Sequence, residues 1–395
     1  MGHGFHVLPD GTFAEPLRDS RTPVGLLHRT IWKHIPTLFR TVDARLTGSR
    51  VSSALSSIFH RLAYERHPIV LLFFLGLLTG AIAAFLSSAW LRLPWVHYQI
   101  LIPLFVTPVY VTFFLACWVD PGRVTSKNHA REVHRYPYDR LIFKPGVECY
   151  TCHLDKPARS KHCNWCKACI SRYDHHCVWI NSCVGRGNYV WFLSFLLAIS
   201  SLLIYGAVLA YLLLHEDLLK VEPANPAEYG LDPKSFRLWN GYPNGTHWTS
   251  ELGWWDLASV WGFCIVEDPL LGIPGVLCIF CFPLSSGFLT YHIYLLWAGM
   301  TTNESVKFAD LNDDIKDGYV WTKAGARVDK SGRKDGLRGK DIVFAEECPD
   351  GEMVDPTGHL FTAKAEEWRT VGGMNELCNV YDRGFIANIR DAIVG

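Results

Sequence analysis

Net charge is what this 395-residue chain lacks: 38 Lys and Arg balance 38 Asp and Glu, so it shows no overall basic excess of the kind that selects nucleic acid. The first 24 residues lack an apolar core and carry Asp10, Glu15, Arg18, Asp19 and Arg21, so no cleaved signal is expected there. The start MGHGFH lacks the Ser or Thr that myristoylation wants at the sixth position, where His6 stands. The tail, 301–395, lacks any repeat or long low-complexity tract.

Charge is also missing locally, and here the absence is informative. Residues 69–90, IVLLFFLGLLTGAIAAFLSSAW, hold no charge over 22 positions; at a helical rise of about 1.5 Å per residue they span a hydrocarbon core of roughly 30 Å. Residues 99–119, 190–214 and 270–300 repeat the pattern, with Pro103, Pro108, Pro274 and Pro283 tolerable as kinks in lipid. Uncharged runs of this length are rare in soluble cores. A membrane all-α protein with four transmembrane helices is the expected class.

Basic residues are retained on the cytoplasmic side of a membrane. Residues 120–189 hold twelve Lys or Arg against six Asp or Glu, and residues 1–66 hold nine against five. Residues 215–258 reverse the bias, with three basic and seven acidic, and include Asn244-Gly245-Thr246, an acceptor pattern for N-glycosylation. That loop is expected to be lumenal and both termini cytosolic. The expected division is a cytosolic N-terminal region at 1–68, helices one and two at 69–119 and a cytosolic cysteine-rich domain at 120–189. Helices three and four follow at 190–300, then a mixed cytosolic tail at 301–395. Within the first region, residues 24–64 mix apolar and basic positions at helical spacing. They read as one or two helices lying in the interface, or packed on the cytosolic domain.

Seven of the thirteen cysteines fall between Cys149 and Cys183, with His153, His162, His175 and His176 among them. In reducing cytosol, disulfides explain such a cluster poorly; metal or catalysis explains it better. Cysteine pairs two residues apart form the knuckles that grip tetrahedral zinc. Two closed sites use eight ligands of the eleven candidates, leaving three side chains free. His175, His176 and Cys177 are consecutive and do not comfortably converge on one ion. If His176 binds metal, its neighbours are released. Asp174, His175 and Cys177 then supply a carboxylate to orient an imidazole, an imidazole to take a proton and a thiol to act as nucleophile. Phe192, in the third span, is only fifteen residues beyond Cys177, which puts this thiol near the membrane boundary, where an acyl-coenzyme A donor could meet it.

The block C-x2-C, K-P, R-S-x-H-C, C-x2-C, D-H-H-C, C and N-x3-F, from Cys149 to Phe192, resembles the cysteine-rich domain of the DHHC protein palmitoyltransferases. Asp120-Pro121-Gly122, Thr301-Thr302-Asn303-Glu304 and Gly384-Phe385-Ile386-Ala387-Asn388 are smaller likenesses outside it. The resemblance implies two structural zinc ions, one on Cys149, Cys152, His162 and Cys169, the other on Cys163, Cys166, His176 and Cys183. It implies that Cys177 accepts the acyl group of palmitoyl-CoA, with His175 as base and Asp174 polarising it. The acyl chain would lie between the transmembrane helices, and the product would be a palmitoylated protein cysteine. RTPVGLLHRTIWKHIP, residues 21–36, and the LTGSRVSS that follows are similar to the fungal endoplasmic-reticulum branch that modifies SNARE proteins beside their membrane anchors. Expected partners are acyl-CoA, the bilayer and membrane-associated proteins with juxtamembrane cysteines, with no nucleic acid. Val178 stands where many relatives have Pro.

The competing class is a membrane-anchored zinc module that binds proteins, in which Asp174, His175 and Cys177 are incidental. A zinc hydrolase would need an open coordination position. Among other residues, Trp179 reads as an interfacial anchor or a donor contact. Lys161, Arg172 and Arg186 read as contacts for coenzyme A phosphates or as surface charges. Glu267 and Asp268 mark a lumenal boundary, Cys264, Cys278 and Cys281 are expected to pack, and Cys117 could itself be acylated.

Overall fold

The computed structural model describes residues 41–45, 47–54, 56–57, 68–220, 254–323, 337, 342–344, 346–347, 353–354, 360–361 and 368–394. The chain divides into two compact units, Met1–His67 and Pro68–Gly395. In the first, residues 41–45 and 50–54 are helical around a turn at Gly48 and Ser49, both with positive φ. The Asp43 carboxylate accepts from the Ser52 N–H at 2.6 Å and from the Thr47 hydroxyl, capping the second helical stretch. The remainder of the expected interfacial helices, residues 24–40 and 58–64, lies outside the described residues.

The second unit is built on four long apolar helices, each sufficient in length and composition to cross a bilayer. We label them α1 (Ile69–Ala89), α2 (Ile102–Trp118), α4 (Tyr189–Lys220) and α6 (Pro269–Trp297). A wide turn at His97–Leu101 opens α2, and a short α3 (His129–Val133) follows it. Leu72, Phe73, Leu104, Leu197, Phe280 and Leu284 are all more than half exposed on these helices, an apolar surface suited to lipid and unusual in water. Of the four helices α4 is the most enclosed and α1 the least.

Small residues let α4 and α6 approach closely. A Cβ at Gly275 would lie 2.6 Å from the Ala210 Cβ, and one at Gly206 would lie 3.0 Å from the Cys278 sulfur. α4 continues to Lys220, past the expected end at 214, because HEDLLK still favours helix. Its extension is anchored: Arg92 bonds both Asp217 carboxylate oxygens at 2.7 and 2.8 Å and the Leu213 carbonyl at 2.8 Å. A helix absent from the sequence expectation, α5 (Trp254–Glu267), runs into α6. Asp268 caps α6 by accepting from Leu271 N–H at 3.1 Å and also accepts from Ser88, so the expected boundary residue has a structural task.

Between α2 and α4 lie three short antiparallel hairpins: β1–β2 (Glu148–Cys149, Leu154–Asp155), β3–β4 (Lys161–Cys163, Ala168–Ile170) and β5–β6 (His175–Cys177, Ser182–Val184). Each turns through a non-glycine residue in the left-handed region, His153, Lys167 or Asn181, at φ of 54°, 53° and 49°. After α6, helix α7 (Thr302–Lys316) begins with a reciprocal cap in which the Thr301 hydroxyl accepts from Glu304 N–H and the Glu304 carboxylate accepts from Thr301 N–H. α7 packs on a three-stranded sheet of β8 (Ile342–Phe344), β7 (Val320–Lys323) and β12 (Trp368–Thr370). A second small sheet joins β9 (Glu346–Glu347), β10 (Met353–Val354) and β11 (Leu360–Phe361). This gives the mixed helix and strand expected of the tail, of which residues 324–336 and 338–341 lie outside the described set. A final helix, α8 (Phe385–Val394), packs Ile389 and Ala392 into the helical core.

One buried ion pair ties the hairpins to this tail. The Arg159 guanidinium bonds the two oxygens of Glu304 at 2.7 Å each; both side chains are essentially without solvent contact. Tyr136 and Tyr381 rings cover the same guanidinium at 5.2 and 4.6 Å. Replacing Glu304 by Gln keeps the helix cap but leaves the buried guanidinium only the Asp391 carboxylate, 3.5 Å away and shared with Arg172. The expected loss is about 3–5 kcal/mol, read as a lower thermal midpoint in detergent, with the Arg159→Met, Glu304→Met pair recovering most of it. An unchanged midpoint for Glu304→Gln would contradict this.

Candidate active site

Alternation along the hairpin strands sorts the cysteines and histidines. In a strand, successive side chains point to opposite faces. On β3, His162 and Cys163 therefore diverge. His162 gathers with Cys149, Cys152 and Cys169, its Nδ1 at 3.5, 3.4 and 3.9 Å from their sulfurs. Cys163 joins Cys166, Cys183 and His176, whose Nδ1 lies 3.6, 3.5 and 3.6 Å from the three sulfurs. Tetrahedral zinc with bonds of ~2.3 Å to sulfur and ~2.05 Å to nitrogen implies ligand edges of about 3.6 Å. Both groups match this spacing, and their sulfurs are too far apart for disulfides; Cys166 and Cys183, for instance, are 3.5 Å apart. Each pair His162–Cys169 and His176–Cys183 sits directly opposite across its hairpin. Of the eleven candidates, His153, His175 and Cys177 belong to neither group; His153 lies at an exposed turn.

The same alternation acts on β5. His176 faces its three cysteines, so His175 and Cys177 share the opposite face of the strand. That face meets the helices: Cys177 is buried in one core with Phe113 of α2 and Phe192 and Phe195 of α4. His175 lies close enough to Cys177 for the sulfur to influence the charge on its ring. Its Nδ1 lies 2.7 Å from an oxygen of the fully buried Asp174, whose second oxygen accepts from Thr302 N–H at 3.0 Å. The structure thus brings together the three residues expected to carry the chemistry. The first turn of α7 fixes the carboxylate from behind.

Electrostatics reinforce the arrangement. Burial opposes a charge on the His175 imidazole, but its hydrogen bond to Asp174 and the influence of the Asp174 carboxylate and the Cys177 sulfur outweigh it, raising the ring to about 9. Burial likewise pushes Asp174 up. Its bond with His175, the nearby positive charge and the Thr302 N–H prevail and hold it below its ordinary value. A basic imidazole held on a carboxylate and aimed at a thiol is equipped to remove the thiol proton.

Phe192, named in the sequence, is joined around His175 by Phe288 and His292, which were not. Phe192, Phe288 and His292 enclose the His175 ring, with centroids at 5.3, 6.1 and 6.0 Å. His292 could have been flagged as a polar residue inside an apolar span. Arg172 corrects its expectation: it is neither a surface charge nor free to meet phosphate, being 2% exposed, stacked 4.9 Å over Tyr189 and 3.4 Å from Asp391. Arg186 is drawn towards Glu132 at 3.9 Å, whereas Lys161 remains exposed with its ammonium 5.5 Å over Tyr173. Trp179 is half exposed and meets Phe74 of α1 edge-on at 6.3 Å. Beyond Phe74, an apolar cavity of about 160 Å³ runs among α1, α2, α4 and α6, past Ala81, Leu202 and Cys278 to Phe85 and Leu209. Cys278 and Cys281 line this cavity, Cys264 is buried elsewhere, and Cys117 is buried in the core that holds Cys177.

Comparison with known proteins places this geometry. The profile of a family described as DHHC palmitoyltransferase matches residues 142–309. The chain is 37% identical over 389 residues to palmitoyltransferase swf1 of Emericella nidulans, covering 93% of this chain and 89% of that protein. It is 35% identical to palmitoyltransferase SWF1 of Neurospora crassa over 94% of this chain and 86% of that one. A rat protein, palmitoyltransferase ZDHHC4, is 32% identical over 40% of this chain and 48% of its own. Matched nearly end to end by fungal relatives, and over part of its length by a mammalian one, the chain belongs to the DHHC palmitoyltransferase family.

Proposed function

We propose that this enzyme transfers palmitoyl groups to protein cysteines through a thioester on Cys177, with His175 as base and Asp174 as its orienting carboxylate. Protein S-palmitoylation is the activity of the family. The observation that carries the assignment is the division of β5, with His176 among the cysteines and His175 beside Cys177 on the other face. First, His175 takes the Cys177 proton and the thiolate attacks the carbonyl carbon of palmitoyl-CoA. The bond from that carbon to the coenzyme A sulfur breaks, and the proton passes from His175 to the departing thiolate. In the second half, an acceptor cysteine gives its proton to His175 and attacks the acyl carbon. Cys177 leaves as thiolate and recovers the proton. Each step exchanges one thioester for another, so neither needs an energy source beyond the donor.

Zinc fits both four-residue groups, Cys149, Cys152, His162 and Cys169, and Cys163, Cys166, His176 and Cys183, in donor type and spacing. Bound there, two ions would brace the hairpins; a full set of four ligands at each leaves no position for water, which speaks against a zinc hydrolase. The apolar cavity is the site for the acyl chain: it begins at Phe74, beside Trp179, and follows α1 for about 18 Å from Phe74 to Leu86. The charge bias of the loops supports a cytosolic active site, with 120–189 and the tail on that side. The likeness of residues 21–36 to the fungal endoplasmic-reticulum branch, with the fungal relatives, supports residence there and acceptor cysteines beside membrane anchors, as in SNAREs.

Purified protein incubated with palmitoyl-CoA is expected to gain a hydroxylamine-sensitive label, and Cys177→Ser to lose it while remaining folded and membrane-inserted. Label retained by the Ser variant would defeat the nucleophile assignment; no label on the parent would favour a non-catalytic zinc module. Filling the cavity by Ala81→Phe should shift donor preference towards shorter acyl-CoAs by about tenfold in kcat/KM, measured across a graded chain series. An unaltered preference would place the chain elsewhere.

A further inference from the structure

His292 is a polar residue in the apolar wall that the Asp174–His175 pair faces. It lies on α6, fully buried, and its Nδ1 is 3.2 Å from the Tyr189 hydroxyl. Its Nε2 is buried without a hydrogen-bond partner among the described residues. An imidazole nitrogen of His292 lies within 4.8 Å of both a His175 nitrogen and an Asp174 oxygen. Phe192 and Phe288 pack on it at 5.2 and 4.7 Å while also touching His175.

A steric wall alone would not call for this residue. Two phenyl rings already flank His175, and a buried imidazole with one nitrogen unpaired costs stability that a third phenyl would not. The polar anchor is what distinguishes it. Tyr189, 1% exposed, holds the ring from one side and is itself pinned beneath the Arg172 guanidinium. Asp174 fixes only one nitrogen of His175, so rotation of that ring about its hydrogen bond must be stopped from another direction.

We propose that His292 is a positioning residue for acyl transfer: held by Tyr189, its imidazole fixes the His175 ring so that one nitrogen stays on Asp174 and the other faces Cys177. This rests on the reading of Cys177 as nucleophile and His175 as base. A third metal site on Asp174, His175 and His292 is the competing use of the cluster. It is disfavoured because Asp174 and His175 already spend ligand atoms on each other at 2.7 Å.

The test uses the full-length protein in detergent, comparing the parent with His292→Phe, His292→Gln and Tyr189→Phe, alone and combined. Palmitoyl-CoA dependence of autoacylation, thermal midpoint and zinc content are measured on each. His292→Phe is expected to lower the maximal rate by about tenfold or more, as loss of an orienting partner does elsewhere, with KM for palmitoyl-CoA and zinc content unchanged. His292→Gln, whose amide can still bond the Tyr189 hydroxyl, should restore most of the rate. Tyr189→Phe should slow the reaction without adding to the defect of His292→Phe. A parental rate in His292→Phe would overturn the proposal. So would a defect that His292→Gln shares at a parental midpoint, or zinc above two per chain that His292→Phe removes. Cys177→Ser and His175→Ala run in parallel separate the two levels: if they lose the label while His292→Phe keeps its rate, only this inference fails.

Discussion

The two-residue period of a β-strand is the constraint on which the proposed active site depends. Asp174-His175-His176-Cys177 is useful only if its members are sorted, and a three-residue strand sorts them with no further device: His176 to one face, His175 and Cys177 to the other. In a helix, three consecutive residues would fan around the axis by about 100° each and no such division would follow. The register of the hairpin fixes the outcome, because His176 is paired with Cys183, the partner that completes its group, and Cys177 with Ser182, which is no ligand.

The neighbouring hairpin applies the same rule to a different end. Its adjacent His162 and Cys163 enter different four-residue groups, so β3 belongs to both and links them. The region has little apolar core of its own; its buried clusters consist largely of the cysteines, with Val124, Ile170 and Tyr173. Metal held in both groups would supply the cohesion that such small hairpins lack. The tail then closes the rear of the site. Thr302 N–H holds Asp174, the Thr301 hydroxyl donates to the Tyr173 carbonyl at 3.0 Å, and Glu304 anchors Arg159. One turn of α7 thus serves the carboxylate, the hairpin and the ion pair together.

Much of this was legible in the residues. The four apolar runs stand out because lipid demands about 20 uncharged positions, and the helices begin and end within a few residues of them except at α4. There, polar HEDLLK was read as loop although its residues favour helix and Arg92 holds them. The eleven ligand candidates and the need for three to remain free followed from counting. That three adjacent side chains cannot share an ion followed from stereochemistry. The strand itself was not legible, since hairpins of two or three residues carry no periodic signal. Arg172 reads in sequence as one more surface charge; only Asp391 and Tyr189, 219 and 17 positions away in the chain, make it a buried one. His292 stands out only as a polar residue in an apolar span; its partners Tyr189 and His175 lie on other elements, so its place beside the site is not readable from the sequence.

The central claim is that the thiol is free because its neighbour is not. Native mass spectrometry of the palmitoyl-CoA-treated protein, followed by peptide mapping, measures this directly. The account requires one species carrying a single acyl group on Cys177 together with two zinc ions. An acyl group that appears only as zinc is lost, or that maps to a sulfur of either four-residue group, would contradict it.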